Sequence, residues 1–521
     1  MNDNSSPVSP ALVNVRQKIK TLDELAVISA SEQQAGRKVV LAHGVFDLVH
    51  MGHVRHLEAA RREGDLLIVT ITADRFVNKG PGRPIFNEMM RAEMLAAMAY
   101  VDWVGVNHAP SAEVVLDAVK PDIYIKGSDY ENPEDDITGK IDAERNVVER
   151  HGGRVVFTKD ITFSSSALIN RYLDVYDRPL RDYLDAHRNG DTVGRISNMI
   201  KKVADFRVLV VGDAIIDEYQ YVTAMGKAAK EHIIATRFIE RETFAGGVFA
   251  AANHVADFCS QVDIVTCLGE QESYEDFIRD HLRANVTLTG LRRPNAPTTR
   301  KTRFVDHGYL RKLFEVYSMK DAPLEPDLVR RLNEIIDARI SDYDVVIVAD
   351  FGHGMINAST IDLLGRKSRF LAVNTQTNSA NIGFNLITKY TRADYICIDA
   401  PEAQLATIDR FSEIETLVEE KLSKKIDCGR IIVTHGKMGC VVFDAARGAR
   451  RIPAFTKTVV DTIGAGDAFL AVTSPLAAVV DDMELVGIVG NAAGAMKVGI
   501  VGHRKSVERV ELTKFIVALL K

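Results

Sequence analysis

No apolar run in this 521-residue sequence approaches the roughly 18–20 residues that a membrane-crossing helix needs, so no membrane partner is expected. Cysteine is scarce. The five (Cys259, Cys267, Cys397, Cys428 and Cys440) show no C-x-x-C spacing and lie mostly in apolar segments. That excludes a disulfide framework or a cysteine metal site and reads as reduced, buried thiols. Neither sign of charge is in large excess: a net charge of −6 gives no basic surplus to draw a nucleic acid. Met1–Pro10 is polar and lacks the apolar centre of a secretory leader, so the cytoplasm is the expected compartment. What is present is ordinary for a globular chain, 46% hydrophobic and 26% charged. One core does not serve such a length, so two domains of unequal size are expected.

Residues 1–34 read as a polar N-terminal segment and lead-in, loose over about the first 20. From Lys38 onward, short β-branched runs alternate with amphipathic stretches. Val39–Ala42, Leu66–Thr72, Trp103–Val106, Ile123–Ile125 and Val155–Thr158 read as strands. His53–Glu63, Glu88–Tyr100, Ala112–Val119 and Ile141–His151 read as the helices between them. The alternation predicts an α/β domain over 35–175 with a doubly wound parallel sheet, whose ligands sit at the carboxyl ends of strands. Residues 176–204 are charged, helix-prone and poor in apolar side chains, and read as a helical linker. A second alternating series fills 205–521, another doubly wound domain. Tyr219–Thr223 and His232–Phe238 alternate like strands and suggest a small β lid on it.

The sharpest stretch is Asp461-Thr462-Ile463-Gly464-Ala465-Gly466-Asp467-Ala468-Phe469. It follows a polar strand-like segment, Ala454–Val460, and opens an apolar helical run, Ala468–Val480. Gly464 and Gly466 let successive amides converge, and a helix start adds partial positive charge, which makes an anion hole. Asp467 at its mouth can take a proton from an attacking hydroxyl. An isolated G-x-G-D serves equally well as a turn with an aspartate cap. The longer string resembles the signature of the ribokinase-like (phosphofructokinase-B) sugar kinases. That resemblance implies ATP and Mg²⁺, with Asp467 as base and the Gly464–Asp467 amides, Ala465 included, around the moving phosphoryl group.

At the other end stands His43-Gly44-Val45-Phe46-Asp47-Leu48-Val49-His50-Met51-Gly52-His53. Two histidines three apart around a glycine can both donate to a phosphate at a helix start. A zinc pair is the rival reading, but no third and fourth ligand is spaced nearby. As a whole it resembles the first motif of the cytidylyltransferase-like nucleotidyltransferases. Lys79-Gly80-Pro81-Gly82-Arg83-Pro84 with Arg91, then Ile125-Lys126-Gly127, then Phe163-Ser164-Ser165-Ser166 follow in that family's order. The resemblance implies that His50 and His53 stabilise the five-coordinate phosphorus. Gly44, Phe46, Asp47, Lys79, Lys126 and the hydroxyls of Ser164, Ser165 and Ser166 would line the triphosphate, from ATP or CTP. A solvated loop charge is the alternative for Lys79, and helix capping the alternative for the three serines.

The remaining kinase-side candidates stand on the same resemblance. Asp213 and Asp217, just past a strand end, lie where such kinases hold sugar hydroxyls; Asp217 would also serve as a cap. Gly246-Gly247 opens a helix, but Phe249-Ala250 stand where the family carries a sugar-binding asparagine, leaving Asn253 on that helix as the substitute. Lys301, in the basic run Pro297–Arg303 at the head of a strand, is a candidate for a phosphorylated substrate, with an exposed basic strand as the alternative. His353 replaces the lysine of the D-Y-G-K-G stretch found in heptose kinases. Glu402 matches the glutamate that organises magnesium indirectly. Thr434, Gly436 and Gly439 fit the turn beside the ATP phosphates, and Asn491 the adenine pocket or merely a helix surface.

The two resemblances together look like the bifunctional heptose-7-phosphate kinase/heptose-1-phosphate adenylyltransferases, with the domain order reversed. They imply sugar-phosphate and nucleotide substrates and, through the lid, a homodimer. A kinase–cytidylyltransferase for another sugar or polyol, and a silent sugar-phosphate sensor, are the alternatives.

Overall fold

The computed structural model describes residues 14–77, 82–127, 141–158, 170, 176–188 and 190–521. Lys79, Ser164, Ser165 and Ser166 lie outside them. The chain divides into two compact units: Met1–Asp177 with Thr513–Leu519 and Lys521, and Arg178–Leu512 with Leu520.

The first unit holds six strands: β1 (Ile19–Lys20), β2 (Val39–Gly44), β3 (Leu66–Thr72), β4 (Trp103–Asn107), β5 (Ile123–Gly127) and β6 (Arg154–Thr158). They form one wholly parallel sheet in the order β1-β4-β3-β2-β5-β6. β3 is buried over six of its seven residues, as a parallel strand covered on both faces must be. One face packs Leu57, Ala92 and Leu95 against Val40, Val69 and Ile71. The other packs Leu25, Val115 and Leu116 against Leu41, Ile68 and Tyr124.

The N-terminal expectation needs correction from residue 14 onward. Ile19–Lys20 is an edge strand paired with Val104 and Gly105, and Leu22–Gln34 is a helix closed by a capping box between Thr21 and Glu24. Only Leu25 and Ser29 of that helix are buried, so its apolar face is too thin to show in the sequence.

The second unit has a nine-stranded sheet and a separate four-stranded one. Its strands are β7 (Arg207–Gly212), β8 (Ala214–Lys227), β9 (Ile234–Gly247), β10 (Gln261–Gln271), β11 (Val286–Pro297), β12 (Thr299–Asp306) and β13 (Lys312–Ser318). There follow β14 (Val345–Asp350), β15 (Leu371–Thr375), β16 (Tyr395–Asp399), β17 (Arg430–Thr434), β18 (Cys440–Asp444) and β19 (Gly448–Ile452). The large sheet runs β11-β10-β7-β14-β15-β16-β17-β18-β19, parallel from β11 to β17 and antiparallel at its far edge. The small sheet, β13-β12-β8-β9, is the expected lid, with longer strands than the sequence suggested.

Two further readings change. Ala454–Val460 forms no strand; Val460 and Asp461 both donate to the Val498 carbonyl instead. The stretch read as a linker contains two helices, Arg178–Arg188 and Thr192–Lys202, that fall within the second unit and bury Leu180, Leu184, Ile196, Met199 and Ile200. Tyr183 donates to Glu484 there at 3.1 Å. All five cysteines are free thiols. No helix among the described residues is long and apolar enough to cross a membrane.

Candidate functional site

β2 carries His43 and Gly44 to the carboxyl end of the first sheet. Phe46 then turns the chain with φ +50°, a left-handed conformation costing about 1–3 kcal/mol in a bulky residue. Gly44 leaves room for it: a Cβ there would lie 3.0 Å from the Phe46 ring. The turn delivers His50 as the cap of the helix Met51–Arg62. His50 Nδ1 accepts the Gly52 amide at 3.1 Å, and His53 Nδ1 accepts the His50 amide at 3.3 Å. The two rings stack 4.0 Å apart, with Phe46 5.1 Å from His53. Because both Nδ1 atoms accept, each neutral imidazole carries its proton on Nε2. Burial lowers the His50 pKa, favouring that neutral form. Two N–H donors at a helix start can grip a phosphate oxygen.

The neighbours are partly as expected. His43 bridges Thr70 (2.9 Å) and Thr72 (3.3 Å), and burial, helped by the Lys126 charge, holds its pKa down at about 3. Lys126, the penultimate residue of β5, pairs with the buried Glu144 at 2.7 Å, a partner the sequence did not reveal. Asp47 needs correction. It is buried and accepts the Ile85 amide at 2.6 Å and Arg83 at 3.1 Å, so it anchors the 83–86 loop rather than facing a phosphate. Arg91 is likewise buried, tying the Val45, Thr72 and Phe86 carbonyls to Asp74.

In the second unit, Gly464 caps the helix Ala465–Val479 with φ +75°, and Asp467 sits in its first turn. A Cβ on Gly464 would lie 2.5 Å from His503, so no other residue fits this turn without displacing the ring. Burial raises the Asp467 pKa, against the opposing charge of His503, while Asp217 adds to the rise. A carboxylate whose pKa burial raises, placed beside helix-start amides, suits proton abstraction from a hydroxyl.

Asp217 lies within β8 rather than at a cap. Arg303 of β12 donates to it, and His503 Nε2 stands 3.3 Å away. Burial works against the charge, but His503 and Arg303 hold Asp217 well below the usual carboxylate range. Gly246 makes the space, since a Cβ there would fall 1.9 Å from an Asp217 oxygen. Lys301 is buried, its ammonium 5.2 Å over the Tyr317 ring and 5.8 Å over Phe351. The basic run is thus not an exposed strand.

Asp213 accepts the Phe351 amide at 3.0 Å and the His353 amide at 3.4 Å, joining β7 to the turn after β14. Burial, with the Asp350 charge, pushes it up to about 6. A cavity beside it is lined by Arg293, Pro297, Lys320, His353 and Met355. Gly247 turns at φ +52°, where a Cβ would meet the Asp213 carbonyl at 2.9 Å.

Asn253 does not join this cluster. Its amide donates to the His281 carbonyl at 2.9 Å and its oxygen accepts the Arg283 amide at 3.0 Å, because that side of the helix faces the 281–283 turn. Asn491 is spent similarly, donating to the Ile452 and Pro453 carbonyls at 3.3 and 3.1 Å. Thr434 ends β17, and the turn Gly436–Gly439 closes with φ +51° and +86° at its two glycines. Glu402 forms a capping box with Asp399, also accepts the Thr377 amide at 2.8 Å, and is raised to about 8 by burial and the Asp399 charge. Among the described residues no cluster of three or more His, Cys, Asp or Glu could hold a metal alone. An Mg²⁺ ion that shares its ligands with substrate phosphates needs only one or two protein carboxylates, and Asp399 and Glu402 stand together at the start of the helix Ala400–Thr407.

Sequence reasoning missed the centre of this arrangement. Asp461 accepts from Tyr219 (2.6 Å), Lys312 (2.5 Å), Ile463 (3.1 Å) and Gly502 (2.8 Å). The available signal was a buried-looking lysine, Lys497, in an apolar helix, and the Gly502-His503-Arg504 run after it.

The pfkB family carbohydrate kinase model matches residues 205–509, more than half of the chain. The chain belongs to the pfkB family of carbohydrate kinases. A cytidylyltransferase-like model matches residues 41–171, so the transferase-like region precedes the kinase region. The phosphofructokinase-2 structure from Escherichia coli in complex with potassium matches with a TM-score of 0.51 at 14% identity. It covers 61% of this chain and 100% of that one, which shows the ribokinase-like fold of the pfkB region. Bifunctional protein HldE of Syntrophotalea carbinolica is 38% identical over 164 residues, 31% of this chain and 32% of its own length. The HldE of Trichlorobacter lovleyi is 40% identical over 164 residues, 30% and 32%. The matched stretch is the N-terminal region and spans about a third of those relatives.

Proposed function

We propose that the chain is a bifunctional cytoplasmic transferase that makes ADP-heptose, phosphorylating heptose 7-phosphate at C1 and adenylylating heptose 1-phosphate with release of pyrophosphate. The observation that carries the kinase half is Asp467 in the first turn of the Gly464-capped helix, with Asp217 and His503 beside it. Asp467 takes the proton of the anomeric hydroxyl while the Gly464–Asp467 amides receive charge on the transferring phosphoryl group. Asp217 orients sugar hydroxyls, and Lys301 supports the substrate phosphate. Thr434, Gly436 and Gly439 border the ATP phosphates. Glu402 and Asp399 would hold the Mg²⁺ that comes with ATP, whose chemistry is to neutralise phosphate charge.

For the transferase half, the support is the stacked His50–His53 pair at a helix start and the kinship of this region with HldE. Their Nε2 protons meet the charge that builds on the α-phosphorus, while Lys126 and Lys79 balance the triphosphate. The sugar phosphate is already anionic and needs no strong base. The exposed apolar residues of the lid, Ile234, Phe238, Phe314 and Val316, support a homodimer formed on that sheet.

Two observations favour a second reading. Asn253 is engaged away from the sugar cluster and His353 stands in place of lysine, which favours a different sugar or polyol, or CTP as nucleotide donor. Mass spectrometry of products decides, using Mg²⁺, ATP or CTP, and heptose 7-phosphate, heptose 1-phosphate, hexoses and polyols. A heptose bisphosphate in one reaction and ADP-heptose in another support the proposal. Products from other sugars alone, or with CTP alone, select the second reading, and no product at all sinks both.

A further inference from the structure

Lys497 ends the helix Met483–Lys497, in a run otherwise almost wholly apolar, and is 0% exposed. Neither chemistry proposed above uses it. Its ammonium donates to two backbone carbonyls, Ile463 at 3.0 Å and Gly502 at 2.5 Å. Asp461, Asp467 and Asp217 surround it electrostatically, and no salt bridge joins it to any of them among the described residues. Burying an ammonium on carbonyls rather than on a carboxylate is costly, so the arrangement calls for a use. Two details point to the turn that precedes Asp467. Ile463 is inside that turn, and a Cβ on the next residue, Gly464, would lie 3.3 Å from the Lys497 side chain. The lysine therefore packs directly against the glycine that shapes the anion hole. Gly502, its other acceptor, donates its own amide to Asp461, so the ammonium joins both sides of the Asp461 hub. Backbone carbonyls gathered on a single positive charge are also how proteins hold an alkali-metal ion.

We propose that Lys497 is a positioning residue for phosphoryl transfer, a tethered monovalent cation that fixes the Asp461–Gly466 turn on its carbonyls and makes the kinase independent of any free monovalent cation. The inference rests on the kinase reading of the Asp467 site. The ammonium lies behind the turn and acts through its backbone, so the step that moves phosphorus is the one described above.

The test is sugar-dependent ADP release by the full chain, in potassium chloride and in tetramethylammonium chloride at equal ionic strength. Wild type is expected to turn over equally in both, within about twofold. Lys497→Met is expected to lose about 100-fold in kcat in tetramethylammonium, the scale of removing one preorganised donor, with the sugar KM changed by less than about threefold. Potassium or ammonium ions, entering the vacated carbonyl site, are expected to restore about tenfold or more of that loss. A merely structural role gives no ion-specific rescue. A wild type that falls about tenfold without potassium overturns the proposal, as does a folded Lys497→Met that keeps its kcat in tetramethylammonium. If Lys497→Met does not fold, the wild-type salt exchange still decides. If no sugar is phosphorylated, the kinase reading fails separately, and calorimetric MgATP affinity of wild type in the two salts decides instead: equal values uphold the tethered cation, and a potassium requirement overturns it.

Discussion

Lys312, on the lid strand β13, donates to Asp461 at 2.5 Å, so the lid sheet is fastened to the first residue of the loop that carries Asp467. Tyr219 of β8 reaches the other carboxylate oxygen at 2.6 Å. Together they hold Asp461 below its ordinary range despite burial. Lys312 is partly exposed, so removing its charge disturbs the latch more than the core. Lys312→Met is expected to lower kinase kcat/KM by about 10–100-fold, as misplacement of a distant support can. Thermal melting should barely move. Steady-state ADP release checks this, and unchanged kcat/KM would show that the latch does nothing for catalysis.

Asp467→Asn keeps the shape of the helix start and removes the base. Sugar-dependent ADP release is expected to fall by about 10²–10⁴, the usual contribution of general base catalysis. Pyrophosphate release from ATP and heptose 1-phosphate should be unchanged. Equal loss of both activities would refute two separate sites.

His53→Ala reverses that pattern. It removes one of two donors and frees the His50 amide that His53 Nδ1 accepts. Pyrophosphate release is expected to drop about 10²–10³-fold, the scale of one lost oxyanion donor. Kinase turnover in the same preparation is the internal control, and loss of it as well would point to unfolding.

His43 gives the first unit an acid sensitivity with a defined sign. Burial, with Lys126, holds it at about 3, whereas an unfolded histidine titrates near 6.5. The folded state therefore binds fewer protons between those values. Its stabilising contribution is complete above about pH 6.5 and fades as the pH falls toward 3. His43→Gln removes the titrating group while keeping polar atoms for Thr70 and Thr72. Urea midpoints at pH 7.5 and 5 should differ less in that variant than in wild type; an identical difference would contradict the assignment.

The sequence was legible wherever a short motif closes on itself. The Gly464 cap with Asp467 in the first helical turn, and the hydrogen bonds of His50 and His53 at their helix start, close within a few residues, so glycine spacing and residue type reveal that local geometry. It was not legible where the partner is remote. Asp461 meets Tyr219, Lys312 and Gly502 across separations of 242, 149 and 41 residues, and no local pattern announces such meetings. Asn253 was misjudged because being on the right helix does not fix which way a side chain faces. Lys126 was legible as a strand-end lysine, but its partner Glu144 lies on a separate helix. The short β1 escaped notice because two residues give no periodicity to read.

The four donors to Asp461 come from positions 219, 312, 463 and 502, which places a constraint on birth order. A ribosome must deliver residue 502 before the loop can close around its aspartate, long after all six strands of the first sheet have emerged. Domains generally fold as units while synthesis continues, the N-terminal one first. Here the first unit also takes in Thr513–Leu519, so both units wait for the far end of the chain: a polypeptide stopped short of residue 502 leaves the Asp461 pocket open and the first unit without its last segment.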